Sequence, residues 1–299
     1  MRILGRIISL GLLLSLAPLV QAGERPKRPH IYGIQSIFLL SSNVSNAVAF
    51  YKSLTMLDVP CLSCGDSPPE TVLLASGQTI RVSSIPQPAP ADLVLSISFT
   101  VDNIEGLKKY LGANHVEFKE IKGPAREGGP YLSVIDPEGH SLSFVKLERN
   151  LGVKDHTNRI LHTGFVVKDR LAMDKFYRDI LGFHLYWTGG MKEGVTNWAD
   201  MQVPDGTDWI EYMLNVPENA DKHTLGVMNH FALGVPNVKA AVTQLEKAGV
   251  KLPEVPKVGR DGKWQLSLYD PDETRVELME FTPVEKPCCS DYTGPHPKP

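Results

Sequence analysis

Four residues in the second half of the chain combine metal-binding side chains with a regular spacing. His162 lies in Ile160–Val167, Glu211 in Trp209–Met213, His230 in Met228–Leu233 and Glu277 in Arg275–Met279. Each sits inside a short apolar run that reads as a strand. Two imidazoles with one or two carboxylates make a mixed nitrogen–oxygen shell that suits Zn, Ni, Fe(II) or Mn and leaves positions open for substrate oxygens. A single histidine in a strand is an ordinary structural residue. Here, however, His162 precedes Glu211 by 49 positions and His230 precedes Glu277 by 47. Near-equal gaps put equivalent residues at equivalent places in a repeat, and the expectation is one metal site built from all four. Trp209 is two residues from Glu211 and so shares its strand face. With Trp264 it is the candidate wall for a planar or apolar substrate, core filling being the plainer reading of both.

The elements that would carry these residues recur four times. Residues 159–182 read as a strand followed by a helix, with Met173, Phe176, Tyr177, Ile180 and Leu181 at helical spacing and Gly182 as the stop. Residues 31–55 repeat this, Phe50-Tyr51 aligning with Phe176-Tyr177. Residues 227–249 do so again, with Asn237 as cap and Gly249 closing the helix; residues 93–112 make the fourth copy, capped by Asn103 and closed by Gly112. Further strands follow each helix. The second and fourth copies share an Asp-Pro hairpin, Asp136-Pro137-Glu138-Gly139 and Asp270-Pro271-Asp272-Glu273; glutamate in place of glycine makes the later turn less ideal. The unit is therefore strand–helix–strand–strand–strand, about sixty residues long. Loops are expected at Ser83–Ala91, Asn150–Thr157 and Asn215–Gly226, with the main boundary near residue 155. Aligning the Phe-Tyr and Asp-Pro pairs puts Ser36, Ser96 and Ser143 opposite His162, His230 and Glu277, so the first two units lack the ligands.

Over residues 31–282 this pattern resembles the vicinal oxygen chelate superfamily: glyoxalase I, extradiol ring-cleavage dioxygenases, methylmalonyl-CoA epimerases, and bleomycin and fosfomycin resistance proteins. The Phe-Tyr helix and the Asp-Pro hairpin leading to Glu277 carry the resemblance. It implies an α+β fold of four βαβββ modules, paired into two domains with open curled sheets. In each module the first and last strands would lie side by side. A glyoxalase- or epimerase-like lyase or isomerase would use four ligands, His162, Glu211, His230 and Glu277, on a metal that polarises a substrate carbonyl. Glu277, with Glu211, would then move the proton. An extradiol dioxygenase would use His162, His230 and Glu277 on Fe(II). That family expects further histidines near the metal, and none lies between His230 and Glu277. A metal-free binding protein of the resistance type is the third possibility. His30, His156, His184, His223 and His296 are expected at the surface, with His184 the one that could face the cleft.

The whole-chain features bound the setting. The 299 residues are 42% hydrophobic and 22% charged, the balance of a soluble globular protein. A net charge of −3 argues against a nucleic-acid partner. Residues 1–22 read as a signal peptide: Arg2 and Arg6, an apolar run to Val20, then small residues at a cleavage point. The expected location is secreted or periplasmic, with no membrane contact after cleavage and a mature net charge of −5, once Arg2 and Arg6 are lost from the −3 of the full chain. A linker at 23–30, an N-terminal domain at 31–150, a C-terminal domain at 158–283 and an irregular tail at 284–299 complete the layout. The partner is a small-molecule substrate and the protein a monomer or homodimer. Four cysteines in an exported chain suggest disulfides. Adjacent cysteines pair with strain, so Cys288 and Cys289 are expected to reach back to Cys61 and Cys64.

Overall fold

In the computed structural model the described residues are 25–55, 70–123, 129–146 and 158–299. The expected signal peptide, Cys61, Cys64 and the boundary near residue 155 lie outside them. One seven-stranded sheet contains β1 (Ile31–Ser41), β2 (Thr71–Leu73), β3 (Thr79–Ser84), β4 (Val94–Val101), β5 (Phe118–Ile121), β6 (Tyr131–Ile135) and β7 (Ser141–Val145), in the order β2-β3-β1-β4-β7-β6-β5. An eight-stranded sheet contains β8 (Arg159–Val166), β9 (His184–Gly189), β10 (Trp198–Gln202), β11 (Trp209–Met213), β12 (His230–Val235), β13 (Lys257–Val258), β14 (Trp264–Tyr269) and β15 (Arg275–Glu280), in the order β13-β14-β15-β12-β8-β11-β10-β9. Both sheets are curled and open, and the fold is mixed α+β. In every unit the first and last strands are parallel neighbours: β1 with β3, β4 with β7, β8 with β11 and β12 with β15. Antiparallel first strands, β1 with β4 and β8 with β12, join the units in pairs.

The ladders explain why one sheet carries a site and the other does not. In the second sheet His162 faces Ala232, which faces Glu277. In the first sheet Ser36 faces Ser98, which faces Ser143. His230 pairs with Gly164, and Gly164 with Glu211. The corresponding positions are Ser96, Phe38 and Arg81. The two sheets thus share one register, with serines, an arginine and a phenylalanine standing where the second sheet has ligands and a glycine.

The helices are α1 (Val44–Thr55), α2 (Ile104–Ala113), α3 (Arg170–Asp174, continuing as a π-helical turn Lys175–Ile180), α4 (Lys222–Met228) and α5 (Val238–Lys247). Asn103 and Asn237 cap α2 and α5 as expected, each side chain accepting the N–H three residues on. Two expectations need correction. α2 runs through Gly112, and the left-handed turn comes at His115 (φ 57°). The stretch expected as a loop at Asn215–Gly226 contains the start of α4, nucleated by Asp221, whose carboxylate accepts the Thr224 N–H. Among the described residues no helix is long and apolar enough to cross a membrane.

Helix faces and the adjoining faces of both sheets form one continuous apolar core, from Ile31 to Leu278. Its polar locks run crosswise. Tyr51 of the first unit donates to Asp270 of the fourth at 2.7 Å, and Tyr177 of the third donates to Asp136 of the second at 3.0 Å. The other oxygen of each aspartate accepts two hairpin N–H groups, Asp272 and Thr274 in one case and Glu138 and His140 in the other. This pinning holds Glu273 at φ 70°, where the earlier hairpin has Gly139 at φ 95°.

The tail is irregular, as expected, yet it is fastened across the concave face of the second sheet. Thr293 N–H donates to the Tyr186 carbonyl (3.0 Å), Gln202 Nε2 to the Pro295 carbonyl (3.0 Å) and Tyr292 OH to the Asp261 carbonyl (2.8 Å). Cys288 and Cys289 are bonded to each other, not to Cys61 and Cys64. The positive φ of Cys289 (73°) turns the chain so that neighbouring sulfurs meet. Cys288 is meanwhile held within the second half, its N–H on the Arg260 carbonyl and its own carbonyl accepting from Trp187 Nε1.

Candidate metal centre

The strand register brings all four sequence-expected ligands together on the concave face of the second sheet. His162 Nε2 and His230 Nε2 are 3.2 Å apart. Glu211 Oε2 lies 3.2 Å from His230 Nε2 and 3.8 Å from His162 Nε2, and Glu277 Oε2 lies 3.8 Å from His162 Nε2. Donor atoms of His162, His230 and Glu277 all fall within 4.8 Å of one another. Both histidines are buried, His162 at 1% and His230 at 0% exposure.

The chemistry of this donor set fits a divalent cation. Burial pushes both imidazoles well below their ordinary pKa, so each is neutral with a lone pair to offer. His230 Nδ1 lies 2.9 Å from the Met228 carbonyl; a proton on Nδ1 donates there and leaves Nε2 bare toward the centre. Burial raises Glu277 and Glu211 to about 7. Arg275, two residues before Glu277 on the same face, places Nη2 2.8 Å from His230 Nε2. A metal using that lone pair would replace the arginine contact.

Other expected site residues divide. Trp209 is on the site face, its ring 4.8 Å from that of His162, but it is 1% exposed and packs in a small apolar cluster with Tyr186, Trp187 and Met279. It backs the histidine and is no open wall. Trp264 is a correction. It alternates with Gln265 and Ser267, which pair with Met279 and Glu277, and so points to the opposite face, where Lys239 of α5 lies 4.1 Å from its ring. His184 reaches Gln202 (3.0 Å), and His223 lies 3.6 Å from Glu273, both away from the centre. His296 is not a free surface residue, because Tyr186 OH contacts its Nδ1 at 2.6 Å.

Sequence reasoning missed three contributors. Gly164 leaves room for the His230 ring: a Cβ there would sit 2.3 Å from His230 Cε1. Arg275 was legible through its i, i−2 relation to Glu277. Asp200 pairs with Glu211 on β10 and is buried at 4%, a cross-strand relation that needs the register of β10 on β11.

The profile of the Glyoxalase/Bleomycin resistance protein/Dioxygenase superfamily matches residues 159–278, the stretch that holds all four side chains. Residues 159–278 belong to this superfamily. Within it, the chain is 27% identical over 141 residues to a probable chloroplastic lactoylglutathione lyase of Arabidopsis thaliana, covering 46% of this chain and 40% of that protein. It is 28% identical over 124 residues to the lactoylglutathione lyase of Haemophilus influenzae, covering 41% of this chain and 92% of that one. The chain thus spans less than half the length of the plant relative. Solved structures extend the likeness in fold to both sheets. Homoprotocatechuate 2,3-dioxygenase from Brevibacterium fuscum superposes with TM-score 0.62 at 19% identity, over 90% of this chain and 75% of that one. The enzyme of that name from Arthrobacter globiformis gives 0.62 at 16% identity, over 88% and 84%.

Proposed function

We propose that the protein is a metal-dependent lyase or isomerase acting on a small substrate that presents two oxygens to a divalent ion held by His162, Glu211, His230 and Glu277. The observation that carries this reading is the fourth donor: Glu211 Oε2 stands 3.2 Å from His230 Nε2 and 3.8 Å from His162 Nε2, beside the cluster of His162, His230 and Glu277. A divalent metal there would supply Lewis acidity toward a substrate carbonyl. The chain's own part is proton movement and exclusion of water. Burial raises both carboxyls to about 7 before a metal binds, and a bound cation would hold them ionised, so either would then be free to take a proton from the substrate and return it; Glu277 and Glu211 approach from opposite sides of His162 in the sheet order. Trp209 holds the His162 ring in place, and the tail shields the face from solvent. The proposal includes export by the N-terminal 22 residues; retention of that segment on the purified protein would count against it.

A second reading is an oxygen-using enzyme built on the three-ligand subset His162, His230 and Glu277, whose donors lie within 4.8 Å. Two histidines and one carboxylate with open positions are the donor set of non-haem Fe(II) oxygenases. Elemental analysis of protein purified without chelator, beside the His162→Ala/His230→Ala double variant, separates the readings. Zinc or nickel, lost in the variant, with solvent deuterium incorporated next to the carbonyl of α-hydroxycarbonyl compounds, supports the lyase or isomerase. Iron with oxygen consumption supports the second. No stoichiometric metal after adding back each ion refutes both.

A further inference from the structure

The C-terminal tail joins the two rims of the second sheet. β13 and β14 stand at one end of its strand order and β9 at the other. In the turn between β13 and β14, the Arg260 carbonyl accepts the Cys288 N–H (2.8 Å) and the Asp261 carbonyl accepts from Tyr292 OH (2.8 Å). On β9, Trp187 Nε1 donates to the Cys288 carbonyl (3.2 Å), the Thr188 N–H donates to Ser290 Oγ (3.0 Å) and the Tyr186 carbonyl accepts the Thr293 N–H (3.0 Å). Between the rims the Tyr292 ring lies 4.7 Å from that of Tyr186 and 5.3 Å from the buried Lys263 ammonium. Tyr186 lies 5.3 Å from Trp209, which backs His162 at 4.8 Å. The tail is therefore a strap over the layer that backs the candidate centre.

The strap turns at Cys289, and a covalent bond holds the turn. Cys289 has φ 73°, a region that residues other than glycine rarely adopt, and its disulfide to the neighbouring Cys288 fixes it there. Cys288 is the one residue of the strap whose backbone bonds both rims, its N–H to Arg260 and its carbonyl from Trp187. Cys289 is exposed, and its Sγ lies 3.8 Å from Arg260 Nη2. An incoming thiolate can reach this residue, and a thiolate formed on it has a guanidinium beside it.

We propose that the Cys288–Cys289 bond is a thiol-exchange site that governs the strap: a dithiol reduces it, the strap leaves the rims, and the concave face opens. A thiolate of the dithiol bonds to Cys289 Sγ as the S–S bond breaks, and Cys288 Sγ leaves with the electron pair and takes a proton. The second thiolate of the dithiol then attacks the first sulfur of its own molecule in the mixed disulfide and releases Cys289, which takes the other proton. Two electrons and two protons pass to the cysteines, and the dithiol becomes a cyclic disulfide. With the bond gone, the left-handed backbone at Cys289 that closure needs is disfavoured by about tenfold. The inference concerns access to the face and holds for whatever the face binds.

The test uses the full chain, free of metal, carrying Cys61→Ser and Cys64→Ser so that Cys288 and Cys289 are its only cysteines. Dithiothreitol is the reductant. Iodoacetamide should trap both thiols after treatment and neither before. Hydrogen exchange read by mass spectrometry should then be about tenfold faster or more in residues 286–296 and 184–190, and unchanged in β8 and β12. Diethyl pyrocarbonate should modify His162 faster in the reduced protein, mapped by peptide. A Cys288→Ser/Cys289→Ser variant in the same background should exchange as the reduced protein does and ignore dithiothreitol. Failure to trap the two thiols, unchanged exchange in the strap, or equal modification of His162 in both states overturns the inference. So does equal loosening of β8 and β12, which would make the bond a general staple of the domain and no latch on its face. The oxidised and reduced forms decide these outcomes without the double-serine variant at 288 and 289.

Discussion

Gly164→Ala is the sharpest probe of whether His230 is a ligand. An ideal Cβ at residue 164 would sit 2.3 Å from His230 Cε1 and 2.5 Å from Nδ1, where ordinary contact begins at 3.4 Å. The ring must then retreat by about 1 Å, five times the roughly 0.2 Å by which metal–ligand distances vary. It cannot swing freely, because Nδ1 is tied to the Met228 carbonyl at 2.9 Å. Loss of one imidazole from the shell should weaken zinc binding at least about 100-fold, read by competition with a chromophoric chelator. Overpacking costs about 1–3 kcal/mol, so the metal-free variant should still fold, with a modestly lower Tm. Gly112→Ala is the control. It lies within α2, with open space where its Cβ would go, and should leave zinc affinity unchanged. A Gly164→Ala protein that binds zinc as tightly as wild type would refute His230 as a ligand.

Arg275→Met removes a cation from the His230 lone pair and should tighten zinc binding about tenfold or more, as expected for one nearby like charge even at a high effective dielectric; unchanged affinity would mean that the arginine and the metal do not compete. Metal uptake should release protons in a pH-dependent way. Glu277 and Glu211 are raised to about 7 while both histidines are already neutral, so about two protons leave per ion at pH 6 and well under one at pH 8. Apparent affinity then rises through neutrality and levels off above it, and calorimetry in buffers of different ionisation enthalpy counts the protons; a constant number from pH 6 to 8 would contradict the raised carboxyls. Tyr51→Phe and Tyr177→Phe each remove a buried hydrogen bond to an aspartate and should cost about 1–3 kcal/mol in denaturant unfolding without changing metal affinity.

The repeat and the candidate ligands were legible because both rest on short-range regularities. Phe-Tyr on a helix, Asp-Pro in a hairpin and matched His–Glu spacings all survive in one dimension. The internal comparison was legible too, since Ser36, Ser98 and Ser143 fall on one ladder just as His162, Ala232 and Glu277 do. What escaped were relations set by which face a strand presents, or by chain returning from far away. Trp264 was read as lining the site, yet strand alternation from Glu277's partner Ser267 puts it on the helix side. The pairing of Cys288 with Cys289 depends on a backbone turn at residue 289 that composition does not announce. Lys263 carries no signal in the sequence, because only the folded tail, through Tyr292, completes the enclosure around it.

The crosswise locks also impose an order on biosynthesis. Tyr177 leaves the ribosome after Asp136 is already made, so its partner is waiting. Tyr51 must wait for Asp270, 219 positions later, and its helix cannot finish packing until the last hairpin emerges. Nascent chains stopped before that hairpin would leave the Tyr51 hydroxyl without its aspartate partner. Contacts of such sequence separation close slowly, so the Tyr51–Asp270 lock is expected to be among the last to form.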